Sequence, residues 1–326
     1  MPRGLVLSVC TSHRHTTMLV TFVILTSALL PHPRPSLREH APISRADALR
    51  GLVAATSLLS AAPAATAAAD PLLRELLLRL EDSSPKQQSA RLGDALKSGV
   101  GLSKGDGLVF PPWMEGRWRV RSRPLSTAAP LGRRFLPSDL ARMRIGDTSD
   151  APGLEYEVRF ARRAADGVVV SDRANNLRAV QDAAAGYRRV EEARYSADAA
   201  KISVSYSPFG PNGTYPGASR AEIYLNWRRQ SQPLAEESTF AFAEATRTVY
   251  LAQRRELSTV SDAETLCSFE RFGGNGGGGV RARQRVLRFL TPNPNSIEGE
   301  LWSQAQGRAV ALLDYELNLE RLGPAD

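Results

Sequence analysis

Four histidines and two cysteines decide which chemistry is open to this chain. His13, His15, His32 and His40 all lie before residue 70, and so does Cys10; only Cys267 lies beyond it. Removal of the segment before residue 70 leaves no imidazole and a single thiol. Such a chain cannot supply a His general base, a Ser-His-Asp triad, a His-ligated metal or a proximal-His haem ligand. It cannot form an internal disulfide either. Carboxylate, Lys and Tyr chemistry stays open. No catalytic signature is present, so the expectation is a non-enzyme with no cofactor and no metal site.

The remaining polar features are local. Asp172, Arg173 and Asn176 cluster where the apolar run Val168–Val170 ends, and they are the candidate ligand-binding residues. In that reading Arg173 presents its planar fork to a carboxylate or head group at a barrel mouth. The alternative is an Asp–Arg pair with an Asn capping a short helix near Asn176–Ala185. The run "GGNGGGG" (273–279) has no Gly-Lys-Ser/Thr ending and reads as a hairpin loop, not a phosphate cradle. Asn212-Gly213-Thr214 reads as a tight turn. Cys267 alternates with Leu266 and Phe269 and reads as a buried, inert thiol.

Charge and leader composition bear on where the chain goes. The net charge is +8, from 42 basic and 34 acidic residues. Six Arg and only Glu39 and Asp47 lie before residue 70, which leaves 36 basic against 32 acidic groups beyond it. That mild surplus on a mixed surface argues against a nucleic-acid partner. "MLVTFVILTSALL" (18–30) is too short for a comfortable membrane span and suits a signal-peptide core, so residues 1–30 read as a signal-peptide-like segment. Residues 31–69 read as a transit and thylakoid-targeting segment: an Arg-rich stretch, then a second apolar core ending in Ala67-Ala68-Ala69. The two cores predict delivery to the thylakoid lumen of a plastid reached through the secretory route, with no integral span in the mature protein. The alternatives are a single transit peptide followed by an uncleaved Ala-rich helix, or a mitochondrial leader.

Residues 70–107 read as a short helix and linker, and 108–322 as the main domain. In "DPLLRELLLRLED", Asp70 can cap a helix and Pro71 suits its first position. Leu73, Leu76, Leu77 and Leu80 form one stripe, either for docking or a membrane surface or for packing on the following domain. Further helical content is read near Ala90–Lys97. Beyond Trp113 the apolar period becomes two. Leu154, Tyr156, Val158 and Phe160 share a face. So do Ile202, Val204 and Tyr206; Ala221, Ile223, Leu225 and Trp227; and Ala311, Leu313, Tyr315, Leu317 and Leu319. Residues 238–253 hold one bent strand or two short ones. Gly/Pro/Asn-rich loops connect the strands. Eight to ten such strands predict a mainly β fold, an antiparallel meander closing into a β-barrel that removes its own edges.

The stretch "FPPWMEGRWRVRSRP" opens that meander, with Trp113, Gly116 and Trp118. A Gly-x-Trp at the first strand resembles lipocalin and other calycin barrels. The resemblance implies that Trp118 plugs the closed end and that an Arg of the last strand, here Arg321, packs over its ring. These residues, with Trp113, read as fold-holding, the alternative being ligand contact. "FPPWMEGRWRVRS", "YEVRF", "VVVSDRANNLRAV" and "GRAVALLDYELNLERL" follow one another with the spacing of the cyanobacterial and plastid family classed as domain of unknown function 6816. The resemblance covers about 108–322, implies a photosynthetic lineage and implies no known activity. The loops at 207–217 and 273–279 depart from the family pattern. Two functions fit these readings: a lumenal barrel holding a small apolar ligand (pigment, quinone or lipid), or a photosystem assembly or stability factor that binds a subunit of the complex. An enzyme acting on a lipid or carotenoid through carboxylates or Tyr is a third.

N-terminal sequencing of protein extracted from plastids is expected to begin at or near Asp70. Retention of any of the four leader histidines would overturn both the cleavage site and the exclusions drawn from it.

Overall fold

The computed structural model describes residues 70–81, 107–197, 199–209, 218–252, 259–273, 278–292 and 297–324. The leader, the reading near Ala90–Lys97 and the turn read at 212–214 lie outside the described residues. Helix α1 is Pro71–Glu81, α2 is Arg173–Ala185 and α3 is Ile297–Ala305. The strands are β1 (Val109–Phe110), β2 (Gly116–Ala128), β3 (Gly146–Asp147), β4 (Leu154–Arg162), β5 (Val169–Ser171) and β6 (Val190–Tyr195). They continue with β7 (Lys201–Tyr206), β8 (Ala218–Gln230), β9 (Thr239–Ala252), β10 (Thr259–Arg271), β11 (Val280–Phe289) and β12 (Ala311–Gly323). Residues 239–252 form one strand, and α3 falls in a stretch where the sequence reading placed no element.

The strands form one antiparallel sheet in the order β1-β5-β4-β2-β12-β11-β10-β9-β8-β7-β6, with β3 added to β2. The sheet curls into a half-barrel rather than closing on itself through its strands. The predicted alternation holds in β4, β7 and β12, whose odd or even set is buried as expected. It fails once. A bulge between Leu225 and Trp227 in β8 turns Trp227 to the convex face, where it packs with a second apolar cluster.

Two faces of the sheet are covered. The concave face holds the main core, including five phenylalanines, Phe110, Phe160, Phe240, Phe242 and Phe269, with ring centroids 4.8 to 6.5 Å apart. Side chains therefore fill the end of the half-barrel near β1. On the convex face, Ala241, Ala243 and Ala245 leave room for α1 to lie flat, and Leu73 and Leu76 bury there with Leu266 and Leu287. The leucine stripe thus packs on the following domain. Asp70 caps α1 by accepting from the Leu72 and Leu73 amides at 2.9 and 3.1 Å, and it also accepts from the Gln232 amide at 2.9 Å. Arg79 donates to the fully buried Glu264 at 2.7 Å. Burial pushes the Glu264 carboxyl up, and the Arg79 charge opposes that.

β2 and the last strand, β12, meet where Gly116 stands. Its φ is +128°, and a Cβ there would lie 2.7 Å from the Gly323 carbonyl oxygen, so the approach of the chain end requires glycine. Trp118 is buried beside it and donates from Nε1 to the Met114 carbonyl at 2.8 Å. The Arg321 guanidinium lies 5.1 Å from the Trp118 ring centroid. It also donates to the carbonyls of Trp113 (3.1 Å) and Glu115 (2.7 Å). Trp113 donates to the Glu237 carbonyl at 2.9 Å. All four signature residues hold chain to chain.

Trp118→Ala is expected to cost roughly 3–5 kcal/mol of stability in denaturant melts, the range for emptying a core aromatic site. Arg321→Ala should cost less, and the double variant should show coupling. A Trp118 variant that melts with wild type would reduce Gly-x-Trp to a surface turn.

Candidate functional site

Helix α2 spans the space between the two limbs of the sheet, packing on β4 near one edge and on β6 at the other. Side chains do the stitching. Asn176 accepts from the Arg159 amide at 2.7 Å and returns a bond from Nδ2 to the Arg159 carbonyl at 3.0 Å. Its Nδ2 also reaches Ser171 Oγ at 2.9 Å. Asp182 accepts from the amides of Arg189 and Val190, where β6 begins, at 2.7 and 2.9 Å. Gln230 of β8 exchanges two hydrogen bonds with the backbone of Val109 in β1, at 2.8 and 3.0 Å. Amide and carboxylate side chains here take the place of a strand ladder.

The three predicted ligand-binding residues belong to this closure. Asp172 is the cap of α2, accepting from the Asn175 amide at 3.3 Å. Asn176 is a strand partner and not a cap. Arg173 is 4% exposed and points inward. Both of its Nη atoms reach Glu244 at 3.0 Å, and Tyr195 lies 5.8 Å from the guanidinium carbon. Arg228 of β8 donates to the same carboxylate at 3.0 Å. Burial pulls the Arg173 pKa down, but Glu244 outweighs it and holds it above the ordinary value. The fork that could have met a ligand carboxylate at the mouth meets an internal one instead. The cluster was visible in the sequence as polar and helix-starting. Its partner Glu244 was not, because it lies in another strand.

The polar surface that sequence reading missed lies on the concave side of β9, β10 and β11. Phe240 and Phe242, then Ala263, Cys267 and Phe269, then Val280, Ala282 and Val286 fix which residues of each strand face inward. By the same alternation Thr246 and Thr248, Ser261 and Thr265, and Gln284 and Arg288 face inward too. In the ladder Thr248 stands opposite Ser261, Ala263 separates Thr246 from Arg288, and Thr265 stands opposite Glu244. None of the six is more than 5% exposed. Each has a polar side-chain atom that meets no hydrogen-bond partner among the described residues: four hydroxyls, both amide atoms of Gln284, and Arg288 Nε. A buried polar group left without a partner costs about 1–3 kcal/mol, and six residues that carry such groups lie side by side here. The signal in the sequence was the run "AFAEATRT", whose small Ala residues mark the convex face and leave Glu and Thr to the concave one.

The stripe ends at a rim cleft of about 410 Å³. Ser261 and Arg288 line both stripe and cleft; Val249, Val260, Phe289 and Leu290 give the cleft an apolar wall. Its charges are paired. Arg288 donates to Asp139 at 3.0 Å and Arg247 to Asp262 at 2.8 Å. Nothing here resembles a reacting pair. Burial pushes the Cys267 thiol well above its usual range and raises the Tyr156 phenol, so neither is a ready nucleophile or base. Among the described residues no group of three His, Cys, Asp or Glu could hold a metal ion, and no helix is long and apolar enough to cross a membrane.

Glu244→Gln is expected to destabilise the fold by about 3–5 kcal/mol, since it leaves two buried guanidinium groups without their counter-charge. Arg173→Met should cost less, because Arg228 still pairs with Glu244. Chemical denaturation of the two variants reads the order, and equal melts would place the triad outside the core.

A family model described as Domain of unknown function (DUF6816) matches residues 101–323. No curated protein and no solved structure matches the chain.

Proposed function

Since the chain belongs to the family described as Domain of unknown function (DUF6816), and that description assigns no activity, we propose from the geometry that it is a binding protein for a small, largely apolar molecule of the pigment, quinone or lipid kind. The rim cleft is the entry. The observation that carries this is the continuity of that cleft, apolar on one wall, with the buried polar stripe through Ser261 and Arg288. Small-molecule sites are concave and mostly apolar, with a few polar groups that fix orientation. The aromatic end of the half-barrel is filled by its own rings, so the ligand is held at the opposite end and not in a hollow through the whole fold.

The place of action in this proposal is the thylakoid lumen. The two-part leader supports it, as does the use of the Asp70 carboxylate as helix cap and as partner of the Gln232 amide just after β8, at the head of the predicted mature chain. A protein-binding role in photosystem assembly has less support. Phe209, Leu78 and Phe272 are the most exposed large apolar side chains among the described residues; Leu78 lies on α1, whereas Phe209 and Phe272 follow β7 and β10 at opposite ends of the sheet. They do not make one patch.

Purification from the source organism, followed by mass spectrometry of organic extracts, is expected to recover one small molecule near stoichiometry. Val260→Asp at the cleft wall should abolish its recovery without loss of folded protein. Recovery that is unchanged in that variant would move the site elsewhere.

A further inference from the structure

Resting on the rim-cleft reading, we propose that the polar stripe beneath it is a head-group site for an uncharged molecule that carries carbonyl-type acceptors on an apolar body. The groups without partners set the chemistry. Arg288 Nε can only donate, and the Gln284 amide offers both a donor and an acceptor. The hydroxyls of Thr246, Thr248, Ser261 and Thr265 rotate to donate or accept. The one fixed demand is therefore for an acceptor at Arg288, next to the cleft. The nearest buried charges strengthen it. Arg173, Arg228 and Glu244 together carry one net positive charge on the concave side, beside Thr265, which favours an electronegative oxygen and disfavours a cation or an amine.

An anionic head group fits less well. A buried carboxylate needs a guanidinium or ammonium with donors to spare. The guanidinium ends near the stripe are already engaged: Arg288 Nη2 on Asp139, Arg173 through both Nη atoms on Glu244, and Arg228 on Glu244 and the Ala199 carbonyl. Asp139 and Asp262 also stand at the rim that a ligand must pass. Neutral dipoles facing a neutral acceptor carry no such charge penalty. The apolar body then lies along Val249, Val260 and Phe289.

The test is calorimetric titration of the full chain with a decyl-substituted benzoquinone, which is neutral with two ring carbonyls, and with dodecanoate, which is anionic. The quinone is expected to bind one to one, and dodecanoate at least about tenfold more weakly. Thr248→Val with Ser261→Ala should weaken quinone binding by about tenfold, the worth of two hydrogen bonds. The same double variant should melt at or above the wild-type temperature without ligand, because the groups it deletes have no partner in the protein. Preference for dodecanoate, or quinone affinity untouched by the double variant, would overturn the head-group assignment while leaving the cleft. Binding of neither probe would overturn both. A melting temperature that falls would show that the hydroxyls are structural.

Discussion

A sheet that curls without pairing its two edges must cover its concave face by other means, and here a helix carries that role. The limb from β1 to β2 and the limb from β8 to β6 face each other across α2. The helix is fixed to one by Asn176, to the other by Asp182, and to the floor between them by Arg173 on Glu244. The Glu244 carboxylate is the point where helix, β8 and β9 meet. Buried ion pairs add little net stability against apolar replacements, but losing one partner is costly, so such a group fixes arrangement more than it adds strength. The position of α2 in turn decides how the concave side is filled.

The interior is divided along its length. Near β1 and the Gly116–Gly323 crossing, aromatic rings fill the space. Towards the other end the same three strands change from Phe and Val to Thr, Ser, Gln and Arg. The change does not expose these groups to water: none is more than 5% exposed, and Asp139, from the chain between β2 and β3, pairs with Arg288. One concave surface is thus divided into a polar and an apolar half.

Much of the fold was legible in the sequence. Alternation placed β4, β7 and β12 on the correct face, the Gly-x-Trp stretch located the strand crossing, and the Asp70-Pro71 start of α1 was visible as a cap. The remainder failed for physical reasons. The edge strands β1 and β3, two residues each, are too short to show a period, and β6 was missed in "VEEARY", where Glu191 and Glu192 interrupt the apolar run. In β8 one bulged residue reversed the face of Trp227. In β9 the usual rule of apolar inside and polar outside is inverted, because α1 covers the convex side: its alanines face a helix and its threonines face the core. The Arg173 site was read as a surface feature because charge in a sequence says nothing of burial until its counter-charge, seventy-one residues away, is placed beside it.

Closure by a helix also changes what sets the girth of the molecule. In a closed barrel, strand number and stagger fix the radius, and the interior cannot widen without adding or shifting a strand. Here the missing arc is filled by one helix, whose overall width is about 10 Å with its side chains. The chord it spans follows from the size of residues such as Leu177 and Val180 on its inner side. Substitutions on α2 alone can therefore change the interior volume while leaving every strand register intact. Interior volume becomes a property of a thirteen-residue segment rather than of the whole sheet.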